Sequence, residues 1–219
     1  MSTVPHSIDL TNPTHYSVSE WRHMIAQEGR FYPGMVFCAQ DGESAVLNWL
    51  IKRLQARALR KMGFSKELVA KYRNFTHAGI IRDSIMLGHN QHRRGVHGVR
   101  WEDYTGRPLL IRKCKGHGAH EHMKARVQFE LDLTEDYDLG DLLAFWLKWT
   151  VDFIPAFDTH ELFSDSDNDV CSTSVVEWFR RALLITLPDK NKWHWFPAFL
   201  ALDDEWFEDV EMIVVGGDE

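Results

Sequence analysis

The chain has 219 residues, 44% of them hydrophobic and 26% charged, which is the make-up of a folded protein and excludes global disorder. Twenty-five Lys and Arg against 32 Asp and Glu leave a net charge of −7, which argues against nucleic acid as a partner. Nine Trp and 13 Phe point to a dense core or an apolar cleft.

Met1 to Leu10 has neither the basic start nor the apolar run of a secretory leader. The longest apolar stretch, Leu142 to Pro155, is broken by Lys148 and Asp152 and is too short to span a bilayer, so no stable membrane insertion is expected. Cys38, Cys114 and Cys171 are too few and too scattered for a disulfide framework or a zinc ribbon. A reducing cytoplasm is the expected location. Residues 1–18 are polar and Pro-interrupted and are expected to be loosely ordered, with 19–219 as a single domain.

Glu20 to Gln27 reads as a short helix, and Phe31-Tyr32-Pro33-Gly34 as a turn into a strand over Met35 to Ala39. Ser44 to Met62 reads as a helix with Leu47, Leu50, Ile51, Leu54 and Ala58 on one face and Arg53, Arg57, Arg60 and Lys61 on the other. Ser65 to Tyr72 is a further helical piece. The pattern then changes to short apolar runs bounded by Gly, Asp and Asn: Ala78 to Ile81, Ile85 to Leu87, Val96 to Trp101 and Leu109 to Ile111. Val127 to Leu133 alternates as another strand. Asp141 to Phe153 reads as a helix, His160 to Asp169 as an acidic exposed loop, and Ser172 to Leu187 as a helix stopped by Pro188. Strands in the middle and helices towards both ends predict an α+β fold.

The feature richest in chemistry is Asp167-Asn168-Asp169-Val170-Cys171-Ser172-Thr173-Ser174. Asn168 or Asp169 can cap a helix, which puts Cys171 in or just before its first turn. Free backbone N–H groups there stabilise a thiolate and can hold an oxyanion. Cys171, Val175, Trp178 and Ala182 share one face, so the sulfur is expected to point into the fold. The plain structural reading of such a residue is a buried, inert cysteine.

A nucleophilic thiol needs a base, and the chain has 12 histidines. Between Thr76 and His89 the polar Arg82-Asp83-Ser84 separates two apolar runs. A hairpin centred on Asp83 would set Ile81 opposite Ile85, Gly79 opposite Leu87, and His77 opposite His89. Opposed side chains stand about 4.5–5.5 Å apart at Cβ, so one imidazole could orient the other. Gly79 beside them would leave room for a ligand or another backbone.

In order, Gly34-Met35-Val36, Thr76-His77-Ala78-Gly79-Ile80, Gly95-Val96, Tyr137-Asp138 and Val170-Cys171-Ser172 resemble the circularly permuted papain-like hydrolases of the NlpC superfamily. That superfamily includes the YiiX/YaeF-like proteins and the lecithin:retinol acyltransferase group. The resemblance spans about residues 31 to 203 and includes Pro197 to Leu200 as a late Pro-containing segment. It implies a small antiparallel barrel-like sheet against helices, with Cys171 as nucleophile, His77 as base and His89 as the third polar residue. Met35 and Thr173 stand where the family usually has acidic residues.

The function these residues predict is covalent cysteine catalysis on an amide, ester or thioester, with a peptide, amide or acyl substrate and no cofactor. The alternatives are a lipid acyltransferase or thioesterase of the same fold, and a non-catalytic binding protein that retains it. Three further features carry less. His117, His120 and His122 could hold zinc only if their loop curled, and a solvated loop is the simpler reading. The basic face of the Ser44–Met62 helix reads as a solvated face. Trp193-His194-Trp195 reads as core. Oligomeric state is not legible in the sequence.

Overall fold

In the computed structural model, residues 9–27, 29–40, 45–91, 95–133, 171–183 and 195–216 are described. Apolar runs broken by turn residues form strands β1 (Thr14–Ser17), β2 (Val36–Gln40), β3 (Phe75–Ile81), β4 (Met86–Gln91), β5 (Gly95–Arg100), β6 (Pro108–Cys114) and β7 (Phe207–Gly216). They join in one mixed sheet of order β1-β7-β6-β2-β3-β4-β5. The β1–β7 pair is parallel and every other pair antiparallel. β1 and β5 are its two ends, so the described strands form an open sheet.

The helices are α1 (Val18–Ala26), α2 (Ala45–Lys61), α3 (Lys66–Tyr72), α4 (Ala119–Leu131), α5 (Cys171–Leu183) and α6 (Pro197–Leu202). A 3-10 turn covers Trp101–Tyr104. Local chemistry sets several starts. Ser17 and Glu20 form a capping box on α1, Ser65 accepts from the Leu68 N–H on α3, and Pro197 opens α6. Gly34 has φ +89°, and a Cβ there would lie 1.9 Å from the His122 carbonyl oxygen, so the turn into β2 requires glycine.

Alternation along the strands divides the core into two layers. Val36, Cys38, Ala78, Ile80 and Leu110 pack with Phe129 of α4, Val175, Trp178 and Phe179 of α5, and α6. Phe37, Ala39, Ile81, Leu87, Leu109 and Ile111 pack with Val18, Trp21 and Ile25 of α1 and with Trp101 and Tyr104. The fully buried Gln55 ties α2 to both neighbours: its Nε2 donates to the carbonyls of Arg73 and Phe75, and its Oε1 accepts from the Ala198 N–H.

The fold is α+β, as the order of elements predicts. Two local expectations fail. Val127 to Leu133 is no strand; residues 127–131 are the last part of α4. The apolar alternation there misleads because Val127 and Leu131 are exposed, while the buried face is His122, Ala125 and Phe129 at helical spacing. The amino-terminal segment is ordered from at least Thr14, because β1 lies along β7 and Ser17 caps α1. The predicted helix over 141–153, the acidic loop over 160–169, the pair Tyr137-Asp138 and the end of the 172–187 helix lie outside the described residues. Among the described residues, no helix is long and apolar enough to cross a membrane.

Candidate active site

The β3–β4 turn fixes where the histidines meet. Asp83 Oδ1 accepts from the N–H groups of Ile85 and Met86 at 2.7 and 2.8 Å, an Asx-type turn that extends the loop beyond Arg82-Asp83-Ser84. The register therefore differs by two residues from a hairpin centred on Asp83: Ile81 faces Leu87, and Gly79, not His77, faces His89. A two-residue shift leaves every side chain on its own face. His77 and His89 remain on the α1 side of the sheet and meet diagonally, with His77 Nε2 hydrogen-bonded to His89 Nδ1 and ring centroids 4.6 Å apart.

The missing side chain at position 79 serves packing. A Cβ there would lie 2.3 Å from the Gly88 carbonyl oxygen and 2.6 Å from the Phe37 ring. The Phe37 ring is 6.3 Å from His77 and 5.5 Å from Tyr104. The close approach expected at Gly79 is thus made by the protein's own backbone and an aromatic ring.

Two further members of the cluster escaped the sequence reading. His97 sits directly opposite His89 on β5, with the two Nε2 atoms 3.2 Å apart. Its Nδ1 lies 2.8 Å from the Gly95 carbonyl oxygen. The Tyr104 hydroxyl lies 3.1 Å from His89 Nδ1. The strand signal over Val96 to Trp101 could have flagged His97, had the β4–β5 register been followed; Tyr104 arrives through the 3-10 turn, which no local pattern marks. The result is a chain of three imidazoles across three adjacent strands, with His89 buried between two partly exposed rings. Burial, with the positive charge of His97 and Arg107 nearby, pushes the His77 pKa down to about 3, so this ring is neutral near pH 7.

Cys171 approaches from the other side of the sheet as the first residue of α5. The expected inward face is present, with Val175 and Trp178 buried beside it. The β3–β4 pairing ends at Gly79 and His89, and the N–H of Ala78, one residue beyond, is among the donors that favour the Cys171 thiolate. The N–H groups of Ser172 and Cys171 and the Ser172 hydroxyl add to it. All of these favour the thiolate, but desolvation outweighs them and pushes the thiol pKa up to about 11. This corrects the expectation that a helix start lowers it: the sulfur is buried, and the loss of water dominates. Cys38 and Cys114 are pushed higher, to about 12 each.

The structure thus joins His77 to His89 and packs the helix that begins at Cys171 against their two strands. No hydrogen bond links the sulfur to the His77 ring among the described residues. Around them, Asn90 Nδ2 donates to Ser174 Oγ at 2.9 Å, and Ser172 Oγ donates to the Trp195 carbonyl at 2.6 Å, which fixes the first turn of α5 against β4 and the approach to α6.

The other histidine group is only in part a loop: His117 precedes the Gly118 cap of α4, and the other two are helical. His120 and His122 lie in the first turn of α4, and His122 is buried. Its Nε2 accepts from the Cys114 N–H at 2.9 Å and its Nδ1 donates to the Gly118 carbonyl at 2.8 Å, so both nitrogens are committed to the fold. Among the described residues, no group of three His, Cys, Asp or Glu side chains could hold a metal ion.

No protein-family model matches the chain, and no curated protein does. The geometry therefore carries the functional argument.

Proposed function

We propose that the protein is a cysteine hydrolase of the circularly permuted papain-like kind, acting on an amide, ester or thioester through an acyl-enzyme. The observation that supports this best is the hydrogen bond between His77 Nε2 and His89 Nδ1 on β3 and β4, with Cys171 at the start of α5, the helix that packs on these same two strands. On this reading the antiparallel part of the sheet, from β7 to β5, corresponds to the small barrel-like sheet of that fold. The His strand precedes the Cys helix in the chain, as the permuted order requires.

In the proposed reaction the thiol and imidazole start neutral. The reaction requires the His77 ring and the sulfur, which approach from opposite sides of the sheet, to meet past the end of the β3–β4 pairing, where His77 takes the thiol proton through the nitrogen that His89 leaves free. The thiolate attacks the carbonyl carbon, and the oxyanion is held by the Cys171 N–H. The leaving group departs with the proton from His77. Water then adds to the acyl-enzyme by the same route, and the acid is released. If an alcohol or amine replaces water, the same steps give acyl transfer, so a lipid acyltransferase or thioesterase shares this chemistry.

One observation favours a second reading, a non-catalytic binding protein with the same arrangement: among the described residues no hydrogen bond joins the Cys171 sulfur to an imidazole, and burial pushes its thiol pKa up to about 11. An acylating thiol probe separates the two. Stoichiometric labelling that disappears in Cys171→Ala supports the hydrolase; no labelling between pH 6 and pH 10 supports the binder.

A further inference from the structure

We infer that the exposed stripe of α2 built from Trp49, Arg53 and Arg60 is a docking surface for the face of an anionic phospholipid bilayer. The inference goes beyond the proposal above and does not depend on the chemistry at Cys171.

α2 carries five Lys and Arg and no Asp or Glu, although the whole chain stands at −7. From Ala45 to Arg73 eight basic residues stand against a single acid, Glu67. Positive charge is thus gathered on one stretch, and the rest of the chain is correspondingly acidic. Only one side of the helix is needed to hold the fold: Leu54, Gln55, Ala58 and Leu59 are buried. At about 3.6 residues per turn, Trp49, Arg53, Arg57 and Arg60 fall within roughly 80° of arc on the other side and span roughly 17 Å along the axis. All four are exposed. Lys52, Arg57 and Lys61 also engage other groups of the protein, so Trp49, Arg53 and Arg60 are the residues committed to the surface.

Basic residues alone would make an ordinary solvated helix face. Trp49 is what such a face does not account for. Among the described tryptophans, Trp21, Trp101, Trp178 and Trp195 are buried and Trp206 is half-buried, whereas Trp49 is 56% exposed. An indole settles at the boundary between headgroups and acyl chains, where its apolar body is covered and its N–H stays wet. The Arg53 guanidinium lies 4.4 Å from the Trp49 ring centre, so cation and ring are presented together. Arg60 lies two turns further along the same stripe and can meet a second headgroup phosphate or carboxylate.

The shape favours a bilayer over a nucleic acid. Single strands are bound in basic grooves with several stacking aromatics. Here Trp49 is the one aromatic residue of α2, and it stands on the convex surface of a helix. A flat anionic surface meets such a stripe along its whole length. The acidic remainder of the chain is repelled from the same surface, which orients the molecule with α2 towards the lipid. The association is superficial and reversible: among the described residues no helix is long and apolar enough to cross a membrane.

The test is co-sedimentation of the full chain with vesicles of phosphatidylcholine alone and of equal parts phosphatidylcholine and phosphatidylserine. Binding to the second and not the first is expected at low ionic strength, with release at about 1 M salt, where charges are screened within about 3 Å. Bromine-labelled acyl chains are expected to quench part of the fluorescence of the wild type and none of it in Trp49→Phe. The double variant Arg53→Gln, Arg60→Gln is expected to bind the anionic vesicles about twentyfold more weakly. Lys124→Gln, which removes an exposed charge from α4, is expected to change nothing. All four positions are exposed, so the variants keep the fold, as a far-ultraviolet spectrum will report. No binding to anionic vesicles, equal binding to both kinds, equal quenching in Trp49→Phe, or an equal loss in Lys124→Gln would overturn the inference. So would a single-stranded oligonucleotide that binds more tightly than the anionic vesicles at the same salt, which would assign the stripe to nucleic acid.

Discussion

Asn90 and Ser174 are hydrogen-bonded at 2.9 Å in the buried seam between β4 and α5. Each sits close to a residue of the candidate site: Asn90 follows His89, and Ser174 lies one helical turn after Cys171. The bond therefore registers the thiol helix against the histidine strand. Ser174→Ala removes the acceptor and leaves a buried amide donor, at an expected cost of about 1–3 kcal/mol. Urea unfolding followed by tryptophan fluorescence checks this. A midpoint unchanged from wild type would mean that the seam does not depend on the bond.

The thiol prediction follows from the balance of burial against N–H donors at Cys171. With its pKa near 11, against about 12 for Cys38 and Cys114, Cys171 is expected to be alkylated first. Only the thiolate reacts, so its rate with iodoacetamide rises about tenfold per pH unit from pH 7 to pH 9, with no plateau. Mass-spectrometric footprinting measures all three sites together. A rate already level below pH 8 would reveal a preformed thiolate–imidazolium pair and contradict the buried neutral thiol.

The histidine roles separate by substitution. His77→Ala is expected to remove turnover altogether, because it deletes the base. His89→Ala retains some activity. His89→Asn retains more, because Asn Oδ1 can stand near the position of His89 Nδ1 and accept from His77 Nε2. The readout is kcat with an acyl or amide substrate, alongside a far-ultraviolet spectrum that reports the fold. Equal activity in His89→Asn and His89→Ala would remove the orienting role from His89.

Much of this site was legible in the sequence because its signals are local. Cys171 at the start of a helix with an apolar face, and two histidines flanking a polar turn, need only short-range patterns. The side of the sheet on which His77 and His89 lie follows from strand parity, which survives the two-residue register shift. The shift itself was not legible, because it depends on Asp83 capping two amides three-dimensionally. Val127 to Leu133 was misread for a related reason: two exposed apolar residues mimic strand alternation on a helix whose buried face includes a histidine. His97 joins the cluster through the β4–β5 register, and the thiol pKa depends on tertiary burial of Cys171. Neither quantity is written in a local pattern.

Gly79 is the position where the site tolerates least. Its Cβ would strike the Gly88 carbonyl, which is backbone and cannot rotate away, as well as the Phe37 ring. Gly79→Ala is therefore expected to push β3 and β4 apart beside His89, with a loss of roughly 1–3 kcal/mol from overpacking. Thermal unfolding gives the stability, and the His77 and His89 ring resonances give the local effect. A fully stable Gly79→Ala with unperturbed histidine signals would show that the sheet relaxes without cost.

Stability towards acid should reflect the two histidines that the fold keeps neutral. Burial lowers His77 to about 3 and His122 to about 4, against an ordinary value near 6.5. For His122 the same bonds that fill both nitrogens, to Cys114 and Gly118, leave its Nε2 no room for a proton. Between about pH 6.5 and pH 4 the unfolded chain binds protons at these two positions and the native chain does not. The unfolded state then holds more protons, so stability rises with pH across this window and falls as the solution is acidified. Each histidine contributes a slope of up to about 1.4 kcal/mol per pH unit. Urea midpoints measured from pH 7.5 to pH 4.5 should decline, and His122→Gln, whose side chain can accept from the Cys114 N–H without titrating, should flatten the decline even if it lowers stability at pH 7.5. An equal slope in wild type and His122→Gln would mean that His122 is protonated in the native state after all.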